Sequence, residues 1–233
     1  MKKILFFSII ALGAVMVSCN KPAQATEEKA EITTPTSQEL DAIRTAHELA
    51  KYGYEVESAS ALIEAANILV STPTQDLDAN AEVDQPKEGV TDKAEEKSLC
   101  PQALLTVAKE LAGDDAILLS MIAKVETKLA AQAEGTRGAK GGPKYDSDRV
   151  LAHDYVYYNI VFYANEIAEV AVSGDGDTDL DLYVYDANGN LITSDTDYTD
   201  DCYVRWVPAW TGTFKIKIVN RGGVYNNYVL LTN

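Results

Sequence analysis

The hydrophobic period of this chain changes once, near Val150. Before that point apolar residues recur three and four positions apart; after it they alternate with polar ones. A period near 3.6 puts apolar groups on one stripe of a helix, and a period of two puts them on one face of a strand. Helices followed by strands, with no room for crossover helices among the strands, imply an α+β chain in separate parts: a small N-terminal α-helical bundle and a C-terminal antiparallel β-sandwich.

The helical region spans residues 37–133. Leu40, Ile43, Ala46, His47 and Ala50 follow helical spacing after a Thr36 or Ser37 cap, and Leu62, Ile63, Ala66 and Leu69 follow it before Pro73, with a bend at Gly53. A second pair carries Leu104, Leu105, Ala108 and Leu111, a stop at Gly113, and then Ile117, Leu118, Met121, Ile122, Val125 and Leu129. Between the pairs, residues 73–97 are acidic, contain proline and are almost free of large apolar groups, so a disordered loop is expected. Residues 134–147, EGTRGAKGGPKYDS, are rich in glycine and locally basic, and read as a linker open to proteolysis between two modules. From 148 to 233, short β-rich runs such as VYYNIVFYA, LDLYVYD and TFKIKIVN are separated by Gly, Asn and Asp clusters. DANGN after VYVY is a tight hairpin signal, because Asn188 and Gly189 tolerate positive φ.

The start, MKKILFFSIIALGAVMVSC, combines two lysines, a short apolar run and a small residue before Cys19. It is too short to span a bilayer stably and reads as a secretory signal over residues 1–18. The placing of Cys19 resembles a bacterial lipoprotein signal. That resemblance implies lipidation of Cys19, a flexible tether over residues 19–36, and an outer-membrane protein held by its lipid, facing the periplasm or the cell surface. Without Lys2 and Lys3 the chain carries 18 basic against 36 acidic residues. Such a charge repels nucleic acid and favours cationic partners. Cys100 and Cys202 are too few for a disulfide framework and lack zinc-ligand spacing, leaving a single bridge or two free thiols.

The series NEIAEVAVSG, DTDLDLYVYDANGNLI, VPAWTGTFKIKIVN and NNYVLLTN resembles the bacterial pre-peptidase C-terminal domain. This resemblance covers about 148–233 and implies a jelly-roll-like sandwich that serves as a binding or stabilising accessory, in some members with calcium. The module normally follows a peptidase. Here about 100 mostly helical residues stand in that place, so proteolysis is not implied.

The stretch GDGDTDLDLYVYDANGNL, residues 174–191, holds the most concentrated chemistry. Asp175, Asp177 and Asp179 mimic the start of an EF-hand loop, but Leu180 stands where the glycine of its sharp turn belongs, and a strand follows instead of a helix. Alternation places Leu180, Leu182 and Val184 on one face and Asp179, Asp181, Tyr183 and Tyr185 on the other. From Glu166 to Asp201 there are 11 acids and no Lys or Arg. Two readings stand: calcium held by Asp175, Asp177, Asp179 and Asp181 with Asp146 or Asp148 from the linker, as the resemblance implies, or an acidic loop that is merely solvated. Asp195, Asp197, Asp200 and Asp201 are expected in a solvated hairpin loop.

Catalytic patterns are missing. The two histidines, His47 and His153, accompany no G-x-S-x-G, no H-E-x-x-H and no Cys-His pairing, so an enzyme is not expected. Trp206 is in phase with Cys202 and Val204 and belongs to the core. Trp210 is either an exposed contact or a lid over the sandwich end, and with Tyr183 and Tyr185 it is a candidate ligand contact, since rings supply contact area at low entropy cost. The expected function is that of a non-catalytic binding module for an envelope or extracellular protein or glycan. The alternatives are a purely structural envelope protein and an undetected hydrolase.

Overall fold

The computed structural model describes residues 37–83, 97–135 and 142–233. The signal, the tether and Cys19 lie outside the described residues, as do residues 84–96 of the acidic loop and 136–141 of the glycine-rich stretch. The helical part holds α1 (Gln38–Glu55), α2 (Ala59–Ser71), α3 (Pro101–Ala112) and α4 (Ala116–Gly135). Their starts follow from local chemistry. The hydroxyls of Ser37 and Ser58 accept from the backbone N–H of Leu40 and Ala61, Pro101 opens α3, and Asp115 Oδ1 accepts from Ile117 and Leu118 N–H ahead of α4. Leu62, Ile63, Leu104, Leu105, Ile122 and Val125 close the helical core.

Eight further strands follow: β2 (Lys144–Val150), β3 (Tyr155–Phe162), β4 (Ala168–Ser173), β5 (Leu180–Tyr185), β6 (Leu191–Asp195), β7 (Asp201–Trp206), β8 (Gly212–Asn220) and β9 (Asn226–Thr232). One sheet has the order β2-β9-β4-β7 and the other β3-β8-β5-β6, all antiparallel. This is a jelly-roll arrangement of two facing sheets with four antiparallel strands in each. Its interior is filled by the inward set of each strand, including Tyr158, Phe162, Val170, Leu180, Leu182, Val184, Trp206, Phe214, Ile216 and Ile218. Phe162 meets Trp206 edge-on with centroids 4.8 Å apart, which places Trp206 in the core as its phase required.

Two parts of the chain behave differently from their composition. Residues 73–83, expected in the disordered loop, form β1 (Gln75–Asp76), which pairs parallel to β2, and then cross to the other sheet, where Glu82 bridges Tyr157. Leu77, Ala79 and Ala81 pack on the sandwich core on the way, so this strap ties one edge of each sheet together. Residues 144–147, expected in the linker, belong to β2. Just before them Gly142, at φ 88°, lies so close to the Pro73 carbonyl that a Cβ has no room, and the Pro143 carbonyl accepts from Gln75 N–H at 2.9 Å.

The helical part and the sandwich also share a core. Leu40 and Ile43 of α1 pack against Ala171 of β4 and Val229 and Leu231 of β9, with Tyr145 and Tyr203 alongside. Helix α1 therefore covers the outer face of the β2-β9-β4-β7 sheet. A linker separating two independent bodies is not what this packing shows, because burying that sheet face requires α1.

Candidate functional site

The outer face of the β3-β8-β5-β6 sheet has no helix on it among the described residues. Antiparallel register fixes what it presents. Tyr157 lies opposite Lys217 and Asn159 opposite Lys215 on one side of β8, and on the other side Tyr183 and Tyr185 lie opposite the same two lysines. The alternation that buries Phe214, Ile216 and Ile218 turns Lys215 and Lys217 outward. Each lysine leans diagonally toward β3: Lys215 Nζ stands 4.0 Å from the Tyr157 ring centre and Lys217 Nζ 3.7 Å from that of Tyr155. These are close cation–π contacts, which steady the ammonium groups over the rings.

The β5 side is organised by a charged clamp. Arg221 donates from Nε to Asp181 at 2.6 Å and from Nη2 to the Tyr183 hydroxyl at 3.0 Å, while that hydroxyl donates to Asp181 at 3.0 Å. Desolvation raises the Tyr183 phenol above its usual range, with the hydrogen bond to Asp181 adding to it, so the ring stays neutral. Tyr183 stacks on Tyr185 with centroids 6.2 Å apart and 22° between planes. At the hairpin end of this face a cavity of about 350 Å³ opens between Asn159, Tyr185, Gly189, Thr213 and Lys215. The hairpin is pinned by Asp186, which accepts from Asn188 and Asn190; the hydrogen bond from the Asn190 side chain leads the lowering of its pKa.

Of the expected ligand contacts, the structure brings Tyr183 and Tyr185 together and leaves Trp210 apart. Trp210 stacks on Phe214 at 5.8 Å, and with 44% of its surface exposed it is a lid at the sandwich end that keeps an open side. Tyr155, Tyr157, Asn159, Lys215, Lys217 and Arg221 are the residues that sequence reasoning passed over. The signal was present in TFKIKIVN and YVYYN, where simple alternation puts both lysines on one face and Tyr155 with Tyr157 on one face.

The opposite end of the sandwich gathers the acids expected to hold calcium. There the carboxylates are met by cations from distant parts of the chain. Asp200 accepts from Lys51 Nζ of α1 at 3.0 Å and from Asn226 and Gly176 N–H, and Asp201 pairs with the same ammonium. Lys97 stands 3.8 Å from Asp177. Arg221 pairs with Asp181 at 2.5 Å. Asp175 is buried and accepts from Asn227 N–H at 2.9 Å. Asp179 is held above the usual carboxylate range by desolvation and by the nearby Asp181. Asp146 takes a hydrogen bond from the Tyr158 hydroxyl at 2.8 Å, and Asp148 lies two residues along the same strand. Among the described residues, no three His, Cys, Asp or Glu side chains converge as a metal site. Among the six expected calcium ligands, Asp181 is paired with Arg221, Asp146 accepts from the Tyr158 hydroxyl and Asp177 lies beside Lys97.

The catalytic candidates stay apart. His47 is buried in α1 and its Nδ1 has no hydrogen-bond partner; desolvation, helped by Lys51, pushes its pKa down to about 3. His153 sits in a turn at φ 51°, where its N–H donates to the Gly222 carbonyl. Cys100 and Cys202 are both free thiols, one exposed and one buried, and burial pushes the Cys202 thiol well up. No described helix is long and apolar enough to cross a membrane.

No family model matches the sequence, and no curated protein matches it in sequence. Solved structures similar to this chain include PliG of Aeromonas hydrophila, a periplasmic inhibitor of g-type lysozyme, at 14% identity over 42% of this chain and 90% of that one, with a TM-score of 0.33. The pre-peptidase C-terminal domain of a Bacillus anthracis collagenase aligns at 10% identity over 40% and 91%, with a TM-score of 0.32. A carbohydrate-binding module of Cellvibrio mixtus lichenase 5A, in complex with cellotriose, aligns at 13% identity over 41% and 89%, with a TM-score of 0.24. Similarity this low does not bear on function.

Proposed function

We propose that the chain is a bacterial envelope lipoprotein, anchored through Cys19, whose sandwich is a non-catalytic binding module for an envelope or extracellular protein or glycan. The observation that carries this reading is the tyrosine and lysine face of the β3-β8-β5-β6 sheet. One side of the sandwich is consumed by α1, whereas the other presents four aromatic rings whose positions are set by neighbours rather than by a ligand. Rings that are already ordered lose little freedom on binding, which is what a recognition surface needs. The sequence resemblance to the pre-peptidase C-terminal domain, an accessory and not a catalyst, agrees with this.

The packing of α1 on the sandwich favours the structural alternative, in which the sandwich only docks onto its own helices. That docking uses Ala171, Val229 and Leu231 of the first sheet and does not involve Tyr183, Tyr185, Lys215 or Lys217 of the second. Replacing Tyr183 and Tyr185 together by alanine separates the two. Loss of retention on envelope glycan and protein fractions, with an unchanged unfolding midpoint, supports a binding module; unchanged retention overturns it. For the anchor, Cys19→Ser is expected to release the chain from the membrane fraction or leave its signal uncut.

A further inference from the structure

The two lysines at the centre of the open face lie in an unusual setting for this protein. The whole chain has a formal charge of −16, and its other well-placed cations are engaged: Lys51 with Asp200 and Asp201, Lys97 with Asp177, Arg205 with Glu169, Arg221 with Asp181. Among the described residues Lys215 and Lys217 meet no carboxylate. Both lie over tyrosine rings instead. Residues two apart on a strand are about 7 Å from one another along it, so the two ammonium groups form a short positive row. The row lies over the β3 rings Tyr155 and Tyr157, and the stacked Tyr183 and Tyr185 of β5 stand on the other side of β8.

Resting on the reading of this face as the binding surface, we infer that its ligand is a carboxylate-bearing saccharide chain, a polymer of uronic acid units. The face offers the rings of Tyr183 and Tyr185 to the C–H faces of pyranoses, with the lysine ammonium groups as donors, while the Asn159 amide already donates to Glu82 Oε1 at 3.1 Å. A neutral sugar would cover both ammonium groups without replacing their water by a counter-charge, which is costly. Carboxylates repeated along the chain supply that charge through short charge-assisted hydrogen bonds. The Asp181 and Arg221 clamp holds Tyr183 in place.

The test is calorimetric titration of the full chain with oligomers of galacturonate and of alginate, with the methyl ester of the same galacturonate oligomer, and with a glutamate oligomer of matching charge. The expected result is binding of a uronate chain that weakens at least about tenfold for the ester, consistent with the loss of charged hydrogen bonds. It should also weaken with added salt. Lys215→Gln with Lys217→Gln should lower uronate affinity to the level of the ester, and Lys215→Arg with Lys217→Arg should retain it. Equal binding of acid and ester, lost only on Tyr183→Ala with Tyr185→Ala, would overturn the uronate inference while leaving the binding face intact. A glutamate oligomer bound as tightly as the uronates would overturn the saccharide choice, and silence of both uronate chains would overturn the inference outright.

Discussion

The Lys51 ammonium donates to the Asp200 carboxylate at 3.0 Å across 149 residues of chain, and so fastens α1 to the loop that enters β7. The Asp200 side chain is 7% exposed and that of Lys51 15%, so water does little to screen the pair. Asp201, more open, completes a three-membered group. Removing one member of a buried pair leaves the other charge uncompensated, which costs more than the pair itself contributes. Lys51→Met is therefore expected to destabilise the chain by about 2–4 kcal/mol in urea unfolding, the lower end reflecting the partial exposure of Asp201. Adding Asp200→Asn should recover part of the loss. An unchanged midpoint for the single variant would mean that the ammonium is dispensable.

The shared core predicts one unfolding transition. Leu40 and Ile43 are 0% and 1% exposed between α1 and the outer face of β4 and β9. Ile43→Ala should cost about 2–5 kcal/mol, as truncations in packed cores do, and should shift helical and sheet signals together. A fragment from Tyr145 to Asn233 leaves Ala171, Val229 and Leu231 uncovered and is expected to be markedly less stable than the full chain. Separate transitions by far-UV and tryptophan signals would show instead that the two parts fold alone.

The elements were legible from the sequence because they depend on neighbours in the chain. Leu180, Leu182 and Val184 face inward and Tyr183 and Tyr185 outward, as a two-residue period dictates. The four helices start at a serine, a proline or an aspartate that the sequence displays openly. What stayed hidden depends on long-range pairing. Counting 11 acids without a cation between Glu166 and Asp201 left out Lys51, Lys97 and Arg221, which arrive from α1, from the start of the α3 segment and from the turn after β8. The strap at 75–82 was hidden for a similar reason. Leu77, Ala79 and Ala81 alternate as a strand would, but two of them are alanines, and the acids around them dominate the composition.

The buried imidazole of His47 predicts acid sensitivity. Its folded-state pKa of about 3 lies below the ordinary value of 6.5, so between these limits the unfolded chain binds a proton that the folded chain refuses. Stability from this source is complete above 6.5 and falls by about 1.4 kcal/mol per pH unit as the pH drops toward 3. Asp179, with its raised pKa, acts in the opposite direction at lower pH. His47→Gln should flatten the dependence between pH 6.5 and 5, where carboxylates of ordinary pKa remain ionised. A slope the same in both proteins over that interval would rule out His47 as its source.

Inside the sandwich the Tyr158 and Tyr228 hydroxyls meet at 2.8 Å, and Tyr158 passes its proton toward Asp146 at 2.8 Å. Burial drives both phenols far above their usual range, so both stay neutral. Tyr158→Phe removes the donor to Asp146 and a partner of Tyr228 in one step. The expected cost is about 1–3 kcal/mol, the penalty for buried polar groups left without a bond. Tyr228→Phe, which leaves the Tyr158–Asp146 bond in place, should cost less, and the reverse order would place the main bond elsewhere.

Cation dependence is the sharpest test of the acidic end. Lys51, Lys97 and Arg221 set three positive charges against Asp177, Asp181, Asp200 and Asp201, which leaves calcium only a small charge deficit to fill. The melting temperature of the full chain should then be the same in millimolar calcium and in chelator, and Asp177→Asn with Asp179→Asn should not change that equality. The Lys51→Met variant is the informative contrast. With its ammonium gone, Asp200 and Asp201 face each other across an unbalanced loop beside Asp175 and Gly176, and a hard divalent cation with an irregular oxygen shell is the ion suited to relieve them. Calcium should therefore raise the melting temperature of this variant selectively, the stabilisation growing with concentration to about 2.7 kcal/mol at a hundredfold excess over Kd. A calcium-dependent rise in the unaltered chain, abolished by Asp177→Asn with Asp179→Asn, would show that the protein's own cations give way to the ion and that the loop is a calcium site after all.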